Sequence, residues 1–274
     1  MKVISTKYFS LALLSTIQFY SHINALEMRS WLPFTGSQKT ETINKESLVG
    51  ENAIVEIENI NGPINVKSWN KPKIVIEAIK KGPEENFDDV EVICTFKKDN
   101  AYIKTKKTTD KTKIIVEYNL MVPTKTNFRI ISSENGPIKI QQVEGIINAN
   151  TQNGNIEILD AKNTVLAQSK KGNIKIKTNK LIKSEQLLAE TNYGNINVEL
   201  PAKINADLVA KTMYGTITSD HLVKLKPEPM KINNPSWSLF KKNVQGEIGT
   251  GGSKVTMYTG NGHIKITQPF TKKK

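Results

Sequence analysis

Cysteine occurs once in this chain of 274 residues, and histidine three times. A single thiol has no partner within the chain, so a disulfide framework is excluded, and so is a metal site built from several cysteines. Aromatic residues make up only 7%. No apolar run approaches the roughly 20 residues that a membrane-spanning helix needs. No long apolar stripe at helical spacing is found either, which argues against an α-helical domain. Glycine and proline are present at ordinary levels, 16 and 11 residues, so collagen-like and low-complexity classes drop out. Acidic residues are in deficit, 26 against 39 basic, giving a net charge of +13. A basic chain raises the prospect of nucleic acid, which the next feature counters.

Lys2 and Lys7 precede an apolar stretch from Tyr8 to Tyr20, and Ile23-Asn24-Ala25 then offers a small residue for cleavage. This order of basic, apolar and small residues reads as a signal peptide over 1–25. The stretch is too short and too interrupted by Ser, Thr and Gln for a membrane anchor. No cysteine lies near the cleavage point, so a lipoprotein anchor is not expected. Cleavage after Ala25 would remove two lysines and no acid, leaving +11. An exported protein does not meet chromosomal DNA. The expected partners of its basic surface are an acidic envelope polymer, an anionic lipid surface or a protein, with periplasm, cell surface or extracellular space as the location. Leu32-Pro33-Phe34-Thr35-Gly36 spells a wall-sorting signal, but such signals act near the C-terminus, and a turn in a linker over 26–50 is the better reading.

From residue 51 the pattern is alternation with period two, bounded by Gly, Asn, Asp and Pro. Val90, Val92, Cys94 and Phe96 share one face, which makes Cys94 a small core residue. Residues 51–125 read as an antiparallel β-rich unit. From Arg129 onward the chain repeats. N-G-x-I-x-I and its variants centre on Gly136, Gly154, Gly172, Gly194, Gly215 and Gly262, with an outlying copy at Gly62. Ser or Thr stands three residues before each glycine from Gly136 onward, and Ile, Ala or Met five before. Seven before it the residues are Arg129, Ile147, Val165, Leu187, Leu208 and Val255. Two and four residues after the glycine, Ile or Val recurs in all but the Gly215 copy.

Self-similarity near 20 residues implies a coil per repeat, with strand, glycine turn and strand, stacked at about 4.8 Å with like residues above like. The fold expected is therefore all-β: a β-solenoid, or β-helix-like repeat stack, over 126–267, preceded by the 51–125 unit as a cap. The seven glycines are its turns, each permitting a positive φ. Lys139, Glu157, Lys175 and Asn197 fall outward, which accounts for much of the positive charge. Residues 220–244 interrupt the repeat with Pro227, Pro229 and Pro235, and place Trp237 and Phe240 as possible contact residues. The run Gly246–Ser253 matches no phosphate-binding motif and reads as a turn. Residues 268–274 form a basic tail.

These features, Ile57–Val66, Tyr118-Asn119-Leu120-Met121-Val122-Pro123, the N-G-x-I-x-I copies and the closing glycine run, resemble the putative-adhesin β-strand-repeat family of bacterial exported domains over about 50–267. That resemblance implies surface adhesion and carries over no catalytic residue, cofactor or metal ligand. The Lys-rich outer positions and the interruption at 220–244 depart from it. The function expected is an exported, non-catalytic binding or structural module of the cell envelope. Two alternatives remain: a polysaccharide lyase or glycosidase, since β-helices host such enzymes, and an envelope-stress domain binding a partner through Trp237 and Phe240. An enzyme would need paired carboxylates, yet the acids of the repeats do not stack in one column. His221 and His263 have no Ser or Cys partner in view, and Asp88-Asp89 reads as a charged turn.

Overall fold

The structure, a computed structural model, describes residues 37–109, 113–226 and 242–269. Trp237, Phe240, the signal peptide and the basic tail from residue 270 lie outside the described residues. Along the described chain the strands are β1 (Gln38–Leu48), β2 (Ile54–Asn61), β3 (Ile64–Trp69), β4 (Lys73–Pro83), β5 (Val90–Lys97), β6 (Asn100–Lys107) and β7 (Ile115–Pro123). They continue as β8 (Asn127–Asn135), β9 (Ile138–Gln141), β10 (Ile147–Asn153), β11 (Ile156–Ala161), β12 (Val165–Lys171), β13 (Ile174–Thr178) and β14 (Gln186–Tyr193). The last are β15 (Ile196–Glu199), β16 (Ala206–Tyr214), β17 (Ile217–Ser219), β18 (Val223–Leu225), β19 (Asn243–Ile248), β20 (Ser253–Asn261) and β21 (Ile264–Thr267). A short 3-10 turn, Glu84–Asp89, is the one helical element among the described residues, and none there is long and apolar enough to cross a membrane.

The fold is all-β, with two large mixed sheets, neither closed into a barrel. One runs β1-β4-β7-β3-β9-β11-β13-β15-β21-β17; the other runs β18-β19-β16-β20-β14-β12-β10-β8-β2-β6-β5. Every repeat contributes one strand to each sheet, joined at its glycine. Pairing between repeats is parallel and in register, so Ile138, Ile156, Ile174, Ile196 and Ile264 form one ladder. Each is at most 1% exposed. Across from it, Ile131, Ala149, Ala167, Ala189, Met257 and Ala210 form a second buried ladder. Period-two alternation dictates this arrangement: apolar residues turn to the space between the sheets, and the lysines and asparagines between them face solvent.

Three features differ from the sequence reading. The copy at Gly62 is not part of an antiparallel unit, because β2 and β3 pair in parallel with β8 and β9. Antiparallel pairing near that end is confined to β1–β4, β4–β7 and β5–β6. Arg129 does not belong to the apolar column seven before the glycine. A bulge in β8 gives that place to Phe128, fully buried opposite Ile147, and turns Arg129 outward to Glu56 at 2.6 Å. Within the segment read as linker, Gln38–Leu48 forms β1, almost entirely exposed along its length. Its charged residues Lys39, Glu41, Lys45 and Glu46 suit an edge strand, where charge discourages pairing with another chain.

Spatial order departs from chain order at both ends. The last repeat, β20 and β21, lies between β14/β15 and β16/β17. Likewise β2 and β3 lie between β6/β7 and β8/β9. The first and last repeats are thus held inside the two sheets, away from their edges.

Candidate functional site

The seven glycines singled out by the sequence form one line through the structure, in the order Gly62, Gly136, Gly154, Gly172, Gly194, Gly262 and Gly215. What demands glycine here is close approach. A Cβ on Gly154 would collide with the Gly136 carbonyl, and one on Gly172 with the Gly154 carbonyl; the relation holds along the line. Positive φ is found at Gly62 (118°), Gly172 (157°), Gly194 (152°) and Gly262 (159°) but not at Gly136, Gly154 and Gly215, so it is not the common requirement. The glycine carbonyls point inward and need donors. The hydroxyl column supplies them: Thr151 donates to Gly136 O at 3.2 Å, Ser169 to Gly154 O at 3.0 Å, Thr191 to Gly172 O at 3.0 Å. Thr259 and Thr212 do the same for Gly194 and Gly262. Ser133 is the exception, because Asn59 already donates to Gly62 O. Gly154→Ala is expected to destabilise the protein by at least about 3 kcal/mol, since backbone faces backbone and the strain has no easy outlet. Gly50→Ala, whose Cβ would meet only the Asp99 side chain, should cost far less. Paired thermal melts check the contrast.

On the solvent side, the residues after Gly154, Gly172, Gly194, Gly262 and Gly215 build a further ladder. Asn173 N donates to Asn155 Oδ1, Asn195 N to Asn173 Oδ1, and His263 N to Asn195 Oδ1, each at 2.8 Å. His263 continues it, its Nδ1 accepting from Thr216 N at 3.2 Å. His263 therefore takes an asparagine's place between two coils. Two rows further, Glu157 lies between Lys139 (3.2 Å) and Lys175 (2.9 Å), one counter-charge for two lysines. Partial burial pushes its carboxyl up, but the hydrogen bonds and charges of Lys175 and Lys139 outweigh this and hold it below the usual carboxylate range. A folded value below the unfolded one stabilises above the unfolded value, and the contribution is lost as pH falls through the folded value. Glu157→Gln should therefore be less stable than the parent at pH 7 by up to about 1 kcal/mol. The two proteins should converge in acid, once Glu157 is protonated in the folded state. Urea midpoints across pH measure this.

Other polar groups serve the core. Tyr118, fully buried, shares a hydrogen bond of 2.7 Å with Thr105, which also donates to Asn59 Oδ1. Burial raises its phenol far above the ordinary range despite that hydrogen bond. Cys94 is partly buried, with its thiol pushed up by burial against an opposing effect of the Lys45 charge. This is the environment of a packing residue rather than a nucleophile. Asp89 accepts from Asn86 at 3.2 Å, and among the described residues no group of three or more His, Cys, Asp and Glu is placed to hold a metal.

One carboxylate pair was missed by the sequence reading: Asp207 and Glu247 stand opposite each other on β16 and β19. Both are bound by Lys226, at 3.4 and 3.1 Å, and Asp207 also accepts from Gly252 N at 3.3 Å. They edge a cleft of about 710 Å³ with Lys183, Lys203 and Thr250. Their charges are engaged by Lys226, and Asp207 also ties Gly252 of the loop 249–252 to β16. His221 is 5% exposed, has an unpartnered Nε2, and borders a shallow cleft with Lys203 and Lys224.

Large exposed side chains gather toward the end of the stack that holds β16: Tyr193 (58%), Met213 (54%), Tyr214 (66%), Leu222 (86%) and Leu225 (62%). The sequence carried a sign of two of them. The residue before the repeat glycine is Asn in most copies but Tyr at 193 and 214.

Several solved structures are similar to this chain. A putative cell adhesion protein from Clostridium sporogenes is 14% identical, with a TM-score of 0.43, over 83% of this chain and 100% of that one. A putative adhesin from Bacteroides fragilis is 13% identical, with a TM-score of 0.33, over 82% and 97%. A putative lipid binding protein from Parabacteroides distasonis is 11% identical, with a TM-score of 0.23, over 82% and 96%. No protein-family model matches the chain, and neither does any curated protein sequence.

Proposed function

We propose that this is an exported, non-catalytic β-repeat protein of the solenoid type that works as a binding or structural module at the cell envelope. The observation carrying this reading is the in-register parallel ladder: it commits inward positions to packing and leaves regularly spaced rows of outward side chains, a geometry suited to extended contact. The N-terminal basic, apolar and small-residue sequence supports export, with cleavage after Ala25 and a mature protein beginning at Leu26. Engagement of the Asp207–Glu247 pair by Lys226 favours a structural role for those acids over a glycosidase role.

The test is binding of the purified protein to whole bacterial cells, acidic polysaccharides and anionic lipid vesicles over a range of salt. Binding to at least one of these, weakened by salt, is the expected result. A protein that binds none of them, or one that depolymerises a polysaccharide, overturns the reading.

A further inference from the structure

Just before each glycine the chain turns a corner, and the two residues there both reach solvent. In β14, β20 and β16, which are neighbours in space, these pairs are Asn192-Tyr193, Gly260-Asn261 and Met213-Tyr214. Tyr193 pairs with Asn261, and Asn261 with Tyr214. Adjacent strands lie about 4.8 Å apart, so the two tyrosines flank Asn261 about 9.6 Å from each other. That distance is close to the length of two linked sugar rings. Gly260 sits close against β14, where a Cβ would come within 2.7 Å of the Asn192 carbonyl oxygen, so Asn261 is the side chain that β20 presents between the two rings. The row is cationic on both sides: Lys171 pairs with Tyr193 on the far side, and the Lys242 ammonium lies 5.7 Å from the centre of the Tyr214 ring. No acidic residue stands in either of the two positions before the glycine on these three strands or on β12.

We propose that this row of Tyr193, Asn261 and Tyr214 binds an acidic glycan, an inference that rests on the surface-binding reading above and names its ligand class. Tyr193 and Tyr214 are 58% and 66% exposed, so both rings are open to a ligand. Their faces match the C–H faces of pyranose rings, and an amide between them has the donors and acceptor that hydroxyls require. Lys171 and Lys242 supply the charge for carboxylates on the sugars. The insertion of β20 between β14 and β16 creates the site: stacked in chain order, the tyrosines would be adjacent, with no amide between them.

The experiment titrates the purified protein with tetragalacturonate and with neutral cellotetraose, following tyrosine fluorescence and heat of binding. Tetragalacturonate should bind at low salt and cellotetraose at least about tenfold more weakly. Tyr193→Ala and Tyr214→Ala should each weaken tetragalacturonate binding by about tenfold or more, with thermal melts unchanged because both rings are exposed. Absence of tetragalacturonate binding, equal binding of cellotetraose, or full affinity in the Tyr193→Ala, Tyr214→Ala double variant would overturn the proposal. If that double variant binds whole cells as the parent does, the tyrosine row fails as the site and the envelope-binding reading stands. If the parent itself binds no cell, polysaccharide or vesicle, the broader reading fails.

Discussion

Ile156→Asp is expected to abolish folding at ordinary temperature. Ile156 is 1% exposed, with Ile138 on one neighbouring strand and Ile174 on the other. A carboxylate there would have apolar neighbours on both sides and no cation in the ladder to pair with. Burying an unpaired charge costs several kcal/mol, on top of about 1.5–3 kcal/mol lost with the isoleucine, against a total stability of about 5–15 kcal/mol. Far-ultraviolet circular dichroism should show loss of the β signal. On the neighbouring strand, Lys175→Glu should cost only about 1 kcal/mol and leave the protein folded: it exchanges an ion pair for a like-charge contact with Glu157 at a side chain 57% exposed. A folded Ile156→Asp protein would mean that this strand turns its other face inward.

Deleting residues 253–274 is expected to do more than shorten the stack. In an array stacked in chain order, loss of the terminal repeat leaves the others intact. Here β20 and β21 are the neighbours of both β14/β15 and β16/β17, so their removal takes one of two parallel partners from β14 and β15 and the parallel partner of β16 and β17. Val255, Met257, Ile264 and Ile266, all fully buried, leave the core together. Amide exchange should show β16 to β19 unprotected in the truncated protein, while β8 to β13, remote from the gap, stay protected. A truncated protein with parental protection in β16 would contradict the insertion.

Much of the fold could be read from the sequence because period-two alternation and the glycine spacing each have a single physical meaning. The ladder of Ile138, Ile156, Ile174, Ile196 and Ile264 follows from residue identity alone. The hydroxyl column was visible too, although its task, capping the glycine carbonyls of the neighbouring coil, needs the third dimension. Spatial order was hidden for the same reason the repeats were plain: every coil presents the same columns, so any coil can stack on any other. The choice is made by β18 and β19, which fold back antiparallel and take the outer edge of β16. Only the inner edge then remains for β20. Arg129 misled because a bulge changes which residue faces inward without any mark in the composition, and β1 was missed because an exposed edge strand has no apolar alternation to read. The acids Asp207 and Glu247 meet across an antiparallel pair that repeat columns cannot show. The tyrosines before Gly194 and Gly215 were legible as exceptions in a column of asparagines, but their role depends on the strand inserted between them.

The central claim is that the C-terminal repeat occupies the interior of the stack, and inter-strand nuclear Overhauser effects on the deuterated protein test it most directly. The Ile196 amide donates to His263 O and the Gly194 amide to Asn261 O, each at 2.9 Å. Cross-peaks from Ile196 to His263 and Ile264, and from Ile264 to Thr216 and Ile217, are the expected result. Direct cross-peaks from Ile196 to Thr216 and Ile217, with none to Ile264, would show the repeats stacked in chain order and contradict the account.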